Sequence, residues 1–166
     1  MSFVMWMTGL PCSGKSTIAK KLHEQIPNME VLDGDELHKI LGMNDFSKES
    51  RLAQTSRIAY IAKLLLKHNI PVCVSVVSPF RESRELAKKI IDDNRFFLTH
   101  LKCSLETCIS RDPKGKYKKT KDITKFTGPF EQPKLVDLTI DTENNPIEKS
   151  VSEIIDFLEK KLILKH

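Results

Sequence analysis

Apolar and polar positions alternate along this chain between unbroken apolar runs and stretches with helical spacing. Phe3-Val4-Met5-Trp6-Met7 has no polar break, so residues 3–8 predict a strand buried on both faces. Residues 15–26 predict a first helix, stopped by Pro27 and Asn28. Glu30-Val31-Leu32 is a short second strand that runs into Asp33-Gly34-Asp35, and a helix starting near Asp35 puts Leu37, Ile40 and Leu41 on one face. After a loop over Gly42–Ser47, with Ser47 and Ser50 as candidate caps, a helix runs to about His68 with Ile58, Ile61, Ala62, Leu65 and Leu66 inward. Pro71–Val77 reads as a third buried strand, residues 82–92 as a helix with Leu86, Ile90 and Ile91 inward, and Phe96–Lys102 as a fourth strand. Ser104 caps a helix to about Arg111, Leu135–Ile140 is a last strand, and Pro146 opens a helix carrying Ile147, Val151, Ile154, Ile155, Leu158 and Leu162. Residues 112–134 show neither period, and so long a loop is usually functional, here a lid.

Strands alternating with helices predict an α/β fold: a five-stranded parallel sheet covered by helices on both faces, in one domain spanning residues 1–166. Ligands then collect at the carboxyl ends of the strands. Three stretches fall there: the loop after the first strand, Asp33/Asp35 after the second, and Ser78–Arg81 after the third.

The first of these is Gly9-Leu10-Pro11-Cys12-Ser13-Gly14-Lys15-Ser16-Thr17, which fits G-x-x-x-x-G-K-[ST] at every fixed position and lies between a strand and a helix. That is the setting of a P-loop, whose backbone amides and helix dipole cradle phosphate. Lys15 then reaches the β- and γ-phosphates and Ser16 holds Mg²⁺, so the expected cofactors are ATP and Mg²⁺. Phosphoryl transfer also needs a group to orient the nucleophile. Asp33 and Asp35 are the candidates: one accepts a proton from an attacking hydroxyl, and either helps hold Mg²⁺ through water. The alternative is structural, with Asp35 capping the following helix and Asp33 merely ending the strand.

Arg51 and Arg57 share a helix, where one can clamp an acidic group, and Arg81 follows the third strand directly. Arg111, Lys114, Lys118 and Lys119 make the long loop a candidate basic lid over ATP, or a solvated basic loop. Phe46 and Phe126 sit in loops, where they stack on a nucleobase or pack under the lid.

The net charge of +5 suits a phosphate-rich substrate, and no aromatic-interleaved basic patch indicates nucleic acid. No apolar run reaches membrane-spanning length, so no membrane partner is expected. Cys12, Cys73, Cys103 and Cys108 match no zinc spacing, and Cys73 and Cys103 read as buried thiols. Without a leader pattern, the expectation is a cytoplasmic protein with reduced thiols.

Several stretches taken together resemble adenylylsulfate kinases: Leu32-Asp33-Gly34-Asp35, Phe46-Ser47, Ser78-Pro79-Phe80-Arg81, Arg111-Asp112-Pro113-Lys114-Gly115 with Tyr117-Lys118-Lys119, and Phe126-Thr127-Gly128. They come in the family's order over about residues 3–142. The resemblance implies transfer of the ATP γ-phosphate to the ribose 3′-hydroxyl of a small nucleotide. It implies Asp33 as base, Phe46 and Phe126 as a base-stacking pair, Arg51 as a substrate contact, and a homodimer. In some members the serine matching Ser78 carries a phosphate, which makes Ser78 a site candidate. The departures fall on the acceptor side. The family's Asp-Gly-Asp-Asn-x-Arg reads Asp33-Gly34-Asp35-Glu36-Leu37-His38, so His38 stands where a substrate-binding arginine is expected. Its Asp-Arg-x-x-Asn reads Ser50-Arg51-Leu52-Ala53-Gln54, and Ile-Asp-Asp-Pro-Tyr-Glu is cut to Pro129-Phe130-Glu131. Histidine for arginine removes a permanent cation and its bidentate fork, and glutamine for asparagine moves an amide by one methylene. On that pattern the chain looks like the branch that phosphorylates cytidine diphosphoramidate for bacterial capsule decoration. Adenylylsulfate itself is the alternative acceptor. Another small P-loop kinase, or a nucleotide-binding regulatory module without catalysis, are the remaining readings.

Overall fold

A computed structural model describes residues 2–42, 45–119 and 129–163. The elements are β1 (Val4–Thr8), α1 (Lys15–Gln25), β2 (Glu30–Asp33), α2 (Gly34–Ile40), α3 (Lys48–Lys67), β3 (Val72–Ser75), α4 (Arg81–Ile91), β4 (Phe96–Lys102), α5 (Leu105–Arg111), β5 (Leu138–Asp141) and α6 (Ile147–Ile163). The five strands form one sheet in the order β2-β3-β1-β4-β5, and every neighbouring pair is parallel. This is the expected α/β architecture.

β1 runs through the middle of the sheet, with Val4 level with Val72 of β3 and with Phe96 of β4. Its side chains alternate between two cores. Met5 and Met7 pack with Ile18 and Leu22 of α1 and with Val151, Ile154 and Leu158 of α6. Val4 and Trp6 pack on the other face with Ile58, Ala62 and Leu66 of α3 and Ala87 and Ile91 of α4. Both faces are covered, so the strand reads as a continuous apolar run. Each such buried side chain contributes about 1.5–3 kcal/mol, so a polar substitution at Val4, Met5 or Met7 costs on that order.

Capping explains two helix starts as expected. Ser47 Oγ accepts from Ser50 N at 3.2 Å, and Ser104 Oγ accepts from Thr107 N at 3.2 Å. Other boundaries differ. β3 ends at Ser75 rather than Val77, because Thr8 Oγ1 draws in the Val77 carbonyl at 2.7 Å and Ser78 turns out of the sheet with a φ of 42°. β5 starts at Leu138, not Leu135, which is 89% exposed. Asp137 sets that entry point: its amide donates to Leu98 O at 2.9 Å and its carboxylate accepts from Leu98 N at 2.8 Å. Ile40 is 69% exposed, since the short α2 buries no residue fully and only its Leu37 packs against the α3/α4 core. Ile147 faces a cavity rather than the core. Cys73 is buried, whereas Cys103 is partly exposed beside the Arg111 guanidinium. Among the described residues no helix is long and apolar enough to cross a membrane.

Candidate active site

The turn from β1 into α1 is shaped by two glycines. A Cβ on Gly9 would stand 2.8 Å from Ser13 Oγ and 2.9 Å from Leu101 O, so no side chain fits. Gly14 has a φ of +99° and opens α1 without a side-chain cap. The amides of that first turn are therefore left for an anion. Two neighbours hold the loop through its carbonyls: Thr142 Oγ1 donates to Ser13 O and Tyr117 Oη to Pro11 O, both at 2.7 Å. Lys15 folds back on the loop, donating to Gly9 O at 2.9 Å and Leu10 O at 2.7 Å. Burial pushes its ammonium down to about 8.

β2, β3 and β1 lie side by side, and this brings Asp33, Ser75 and the loop together. Asp33 Oδ2 accepts from Ser16 Oγ at 2.6 Å, and Ser75 Oγ lies 3.4 Å from the same hydroxyl. Asp33 Oδ1 accepts from Asp35 N at 2.9 Å and Glu36 N at 3.4 Å, so Asp33, not Asp35, is the cap of α2. A hydroxyl and a carboxylate at contact distance are hard oxygen donors. They fit Mg²⁺, which takes few protein ligands and completes its shell with phosphate and water. Among the described residues no group of three or more His, Cys, Asp or Glu side chains could hold a metal by itself.

Asp35 instead meets the basic segment after α5: Lys116 Nζ lies 2.5 Å and Lys114 Nζ 3.4 Å from its carboxylate. Burial raises its pKa, but hydrogen bonds and charge from Lys116 and Lys114 prevail, and it falls below the usual carboxylate range. The segment is anchored by Asp112, whose carboxylate accepts from Lys116 N at 2.7 Å and Tyr117 N at 2.9 Å.

On the far side of the cleft the His38 ring stacks on Phe46, centroids 5.5 Å apart and planes 8° apart. The Arg51 guanidinium stands 5.3 Å from that ring, and Arg51 Nε donates to Phe46 O at 3.1 Å. Burial lowers the Arg51 pKa from its ordinary value. Gln54 Nε2 approaches Gly34 O at 3.5 Å, the limit of a hydrogen bond. Ser78 is buried, accepts from Trp6 Nε1 at 3.0 Å, and its carbonyl accepts from Arg84 Nη1 at 2.8 Å.

One cavity of about 940 Å³ joins these parts. Of the expected site residues its wall includes Pro11, Cys12, Gly14, Lys15, Ser16, Thr17, Asp33, Asp35, His38, Phe46, Arg51, Gln54, Ser78, Arg111 and Lys114. Gly9, Leu10 and Ser13 of the loop do not line the cavity and instead hold Lys15. Two expected site residues stand off the cavity wall. Arg81 does not line the cavity: its guanidinium turns outward to Glu85, Nε to Oε1 2.6 Å. Lys118 is exposed and offers the site only an amide that leans on Asp112. Phe126 lies outside the described residues.

Other wall and support residues were not singled out from the sequence. Thr142, Asn145 and Pro146 form the wall after β5. Arg84 is buried and donates to Ser78 O and Glu131 O, each at 2.8 Å. It shares the buried stripe of α4 with Ala87 and Ile91, and a charge on such a stripe was the available signal. For Asp112 the signal was Asp-Pro followed by glycine, an Asx-turn pattern.

Comparison with known proteins points to one family. The family model described as adenylylsulphate kinase matches residues 1–141. The adenylyl-sulfate kinase of Staphylococcus epidermidis is 40% identical, covering 96% of this chain and 85% of the relative. That of Staphylococcus haemolyticus is 38% identical, covering 98% and 87%. The structure of the Mycobacterium tuberculosis APS kinase CysC in complex with AMPPNP and APS superposes with a TM-score of 0.86 at 34% identity, covering 95% of this chain and 98% of that one.

Proposed function

Because the chain belongs to the adenylylsulfate kinase family, we propose that it transfers the γ-phosphate of ATP to the ribose 3′-hydroxyl of a nucleotide, with adenylylsulfate as the acceptor. The observation that carries this reading is the contact of Asp33 with Ser16 at the mouth of the phosphate loop. It sets a carboxylate next to the place where a γ-phosphate would end. Asp33 accepts the proton of the attacking hydroxyl as the new phosphorus–oxygen bond forms and the bond to the β-phosphate oxygen breaks, releasing ADP. The loop amides and Lys15 hold the phosphates. Bound Mg²⁺, held by Ser16 and by Asp33 through water, would neutralise charge on the transferring group. In this reading Lys114 and Lys116 belong to a lid for the triphosphate, about residues 112–134, and Arg111 precedes it at the end of α5. His38, Phe46, Arg51 and Gln54 face the acceptor, and Phe126 is the second stacking residue that the family resemblance implies.

A second acceptor, cytidine diphosphoramidate, is favoured by the chemistry of that far wall. His38 replaces a cation with a ring, and that ring stacks on Phe46. Gln54 reaches Gly34 O only at 3.5 Å. A wall with fewer fixed cations discriminates less for a sulfate-bearing tail. Assaying both acceptors side by side with ATP, and locating the new phosphate, tests the proposal. Transfer to the 3′-hydroxyl of adenylylsulfate is the expected result. Transfer to cytidine diphosphoramidate alone moves the assignment to the second acceptor, and ADP formation only with a sugar or a 5′-monophosphate overturns both.

Lys15 makes ATP binding pH-dependent. With its pKa at about 8 in the free site, the ammonium is charged at pH 7 and largely neutral at pH 9. Triphosphate raises that pKa, so binding takes up almost no proton at pH 7 and about 0.9 proton at pH 9. Affinity therefore falls as pH rises through 8. Calorimetric titrations with ATP in buffers of different ionisation enthalpy measure this uptake. Equal uptake at both pH values would contradict it.

A further inference from the structure

The basic segment after α5 reaches the acidic turn after β2. Lys116 Nζ lies 2.5 Å from Asp35 Oδ2, and Lys114 Nζ lies 3.4 Å from the same oxygen. All three residues are on the cavity wall. Among the described residues the Asp35 carboxylate has no other partner, and it does not cap α2, which is the task of Asp33. The group is open to water: the Asp35 side chain is 48% exposed, that of Lys116 30% and that of Lys114 67%. Ion pairs of this kind contribute little to a fold.

Their position is what distinguishes them. Asp35 N donates to Asp33 Oδ1 at 2.9 Å, and Asp33 Oδ2 accepts from Ser16 Oγ at 2.6 Å, at the end of the phosphate loop. From the other direction Tyr117 Oη donates to Pro11 O of that loop at 2.7 Å, and Cys12 Sγ lies 3.8 Å from Asp112 Oδ1. The backbone of Lys116 is fixed between these contacts, because Lys116 N and Tyr117 N both donate to the Asp112 carboxylate, at 2.7 and 2.9 Å. The Lys116 side chain is therefore the part free to exchange partners, a flexible stem ending in three rotatable donors. Asp35 offers it one negative charge. A triphosphate arriving at the loop offers more charge and several acceptor oxygens.

We infer that Asp35 holds the place of a phosphate in the free site: Lys116 is a donor-binding residue, and ATP draws it away from Asp35. This rests on the reading that ATP is the donor. It gives Asp35 a sign opposite to that of a metal or proton ligand, since ATP binding improves when its charge is removed.

Titration with ATP and Mg²⁺, followed by calorimetry, tests this with Asp35→Asn, Lys116→Met and the double variant. Lys116→Met should raise the ATP Kd about tenfold, because a charge-assisted bond to phosphate is lost. Asp35→Asn should lower it about threefold, the scale of an exposed ion pair. The two effects are coupled: in the Lys116→Met background Asp35→Asn should gain less than about 1.5-fold. Plain repulsion between Asp35 and ATP predicts the reverse, a larger gain once Lys116 no longer shields the carboxylate. An equal or larger gain in that background therefore overturns the inference. Weaker ATP binding by Asp35→Asn overturns it too, since Asp35 would then serve ATP or its metal directly. A pair that served only the fold would lower the thermal midpoint in both single variants and leave Kd within about 1.5-fold, which also overturns it. If Lys116→Met loses stability, Lys116→Gln, with a polar end and no charge, takes its place in the cycle with the same expected pattern. Should the unaltered chain bind no ATP, the kinase reading fails and the exchange falls with it; ATP binding that neither variant moves removes the exchange alone.

Discussion

Asp33→Asn is expected to lower kcat about 10³-fold while ATP binding and the fold persist. A positioned general base contributes roughly 10²–10⁴-fold, and asparagine cannot take the proton. The substitution separates chemistry from structure because Asp33 has two oxygens with two tasks. Oδ1 caps α2 through Asp35 N and Glu36 N, and asparagine caps as well as aspartate does. Oδ2 receives the Ser16 hydroxyl, and an amide nitrogen there cannot accept it. The thermal midpoint should therefore move by no more than about 2 °C, in keeping with a ΔΔG of a few tenths of a kcal/mol. Single-turnover rates with saturating ATP and acceptor, alongside ATP affinity by titration, make the check. Turnover within tenfold of the unaltered enzyme would show that another group takes the proton.

The same residue shows how much of the site the sequence displays. A P-loop is legible because its glycines and lysine obey fixed spacing, and β1 is legible because a strand covered on both faces has no polar positions. Asp33 was legible as a site candidate from its place at a strand end. Its second task was not, since a carboxylate's choice between capping and pairing depends on which amides and ammonium groups arrive from elsewhere in the chain. Asp35 was a candidate cap on the sequence and is instead a counter-ion, because Lys116 and Lys114 arrive from about 80 residues away in sequence. Arg81 and Arg84 make the same point one helical turn apart. Arg81 has Glu85 four residues on and faces outward, while Arg84 shares the stripe of Ala87 and Ile91 and ties Ser78 to Glu131. Composition lists both as arginine; only the helix phase separates them. The late start of β5 was hidden for a related reason: Leu135 continues the apolar pattern, but the ladder is set by Asp137 against Leu98.

Replacing Lys15 with methionine should act with opposite signs on catalysis and stability. Its charge is the cation in the loop best placed for the transferring phosphate, and removing one such stabilising contact costs about 10²–10³ in kcat. In the free protein the same charge is buried against loop carbonyls. A fall from 10.5 to about 8 corresponds to a cost of about 3 kcal/mol for keeping the ammonium buried at neutral pH. Its hydrogen bonds to Gly9 O and Leu10 O offset part of this on removal, at about 1 kcal/mol each. The methionine variant should then be about 1 kcal/mol more stable at pH 7, a difference that denaturant unfolding resolves. The sign of its pH dependence follows from the depressed pKa. Below pH 8 the lysine is charged in both folded and unfolded chains and the full cost applies. Between pH 8 and 10.5 the folded lysine loses its proton before the unfolded one does, so the unaltered protein regains about 3 kcal/mol, the gap of about 1 kcal/mol closes within that window, and the unaltered protein becomes the more stable of the two. An inactive variant that is less stable at pH 7, with a gap that does not move with pH, would mean that the lysine supports the loop as well as serving the phosphates. Lys15 would then owe its position to both roles. The expected pattern says otherwise: the free loop holds a charge at a cost to the fold, and that cost is relieved only when a phosphate arrives.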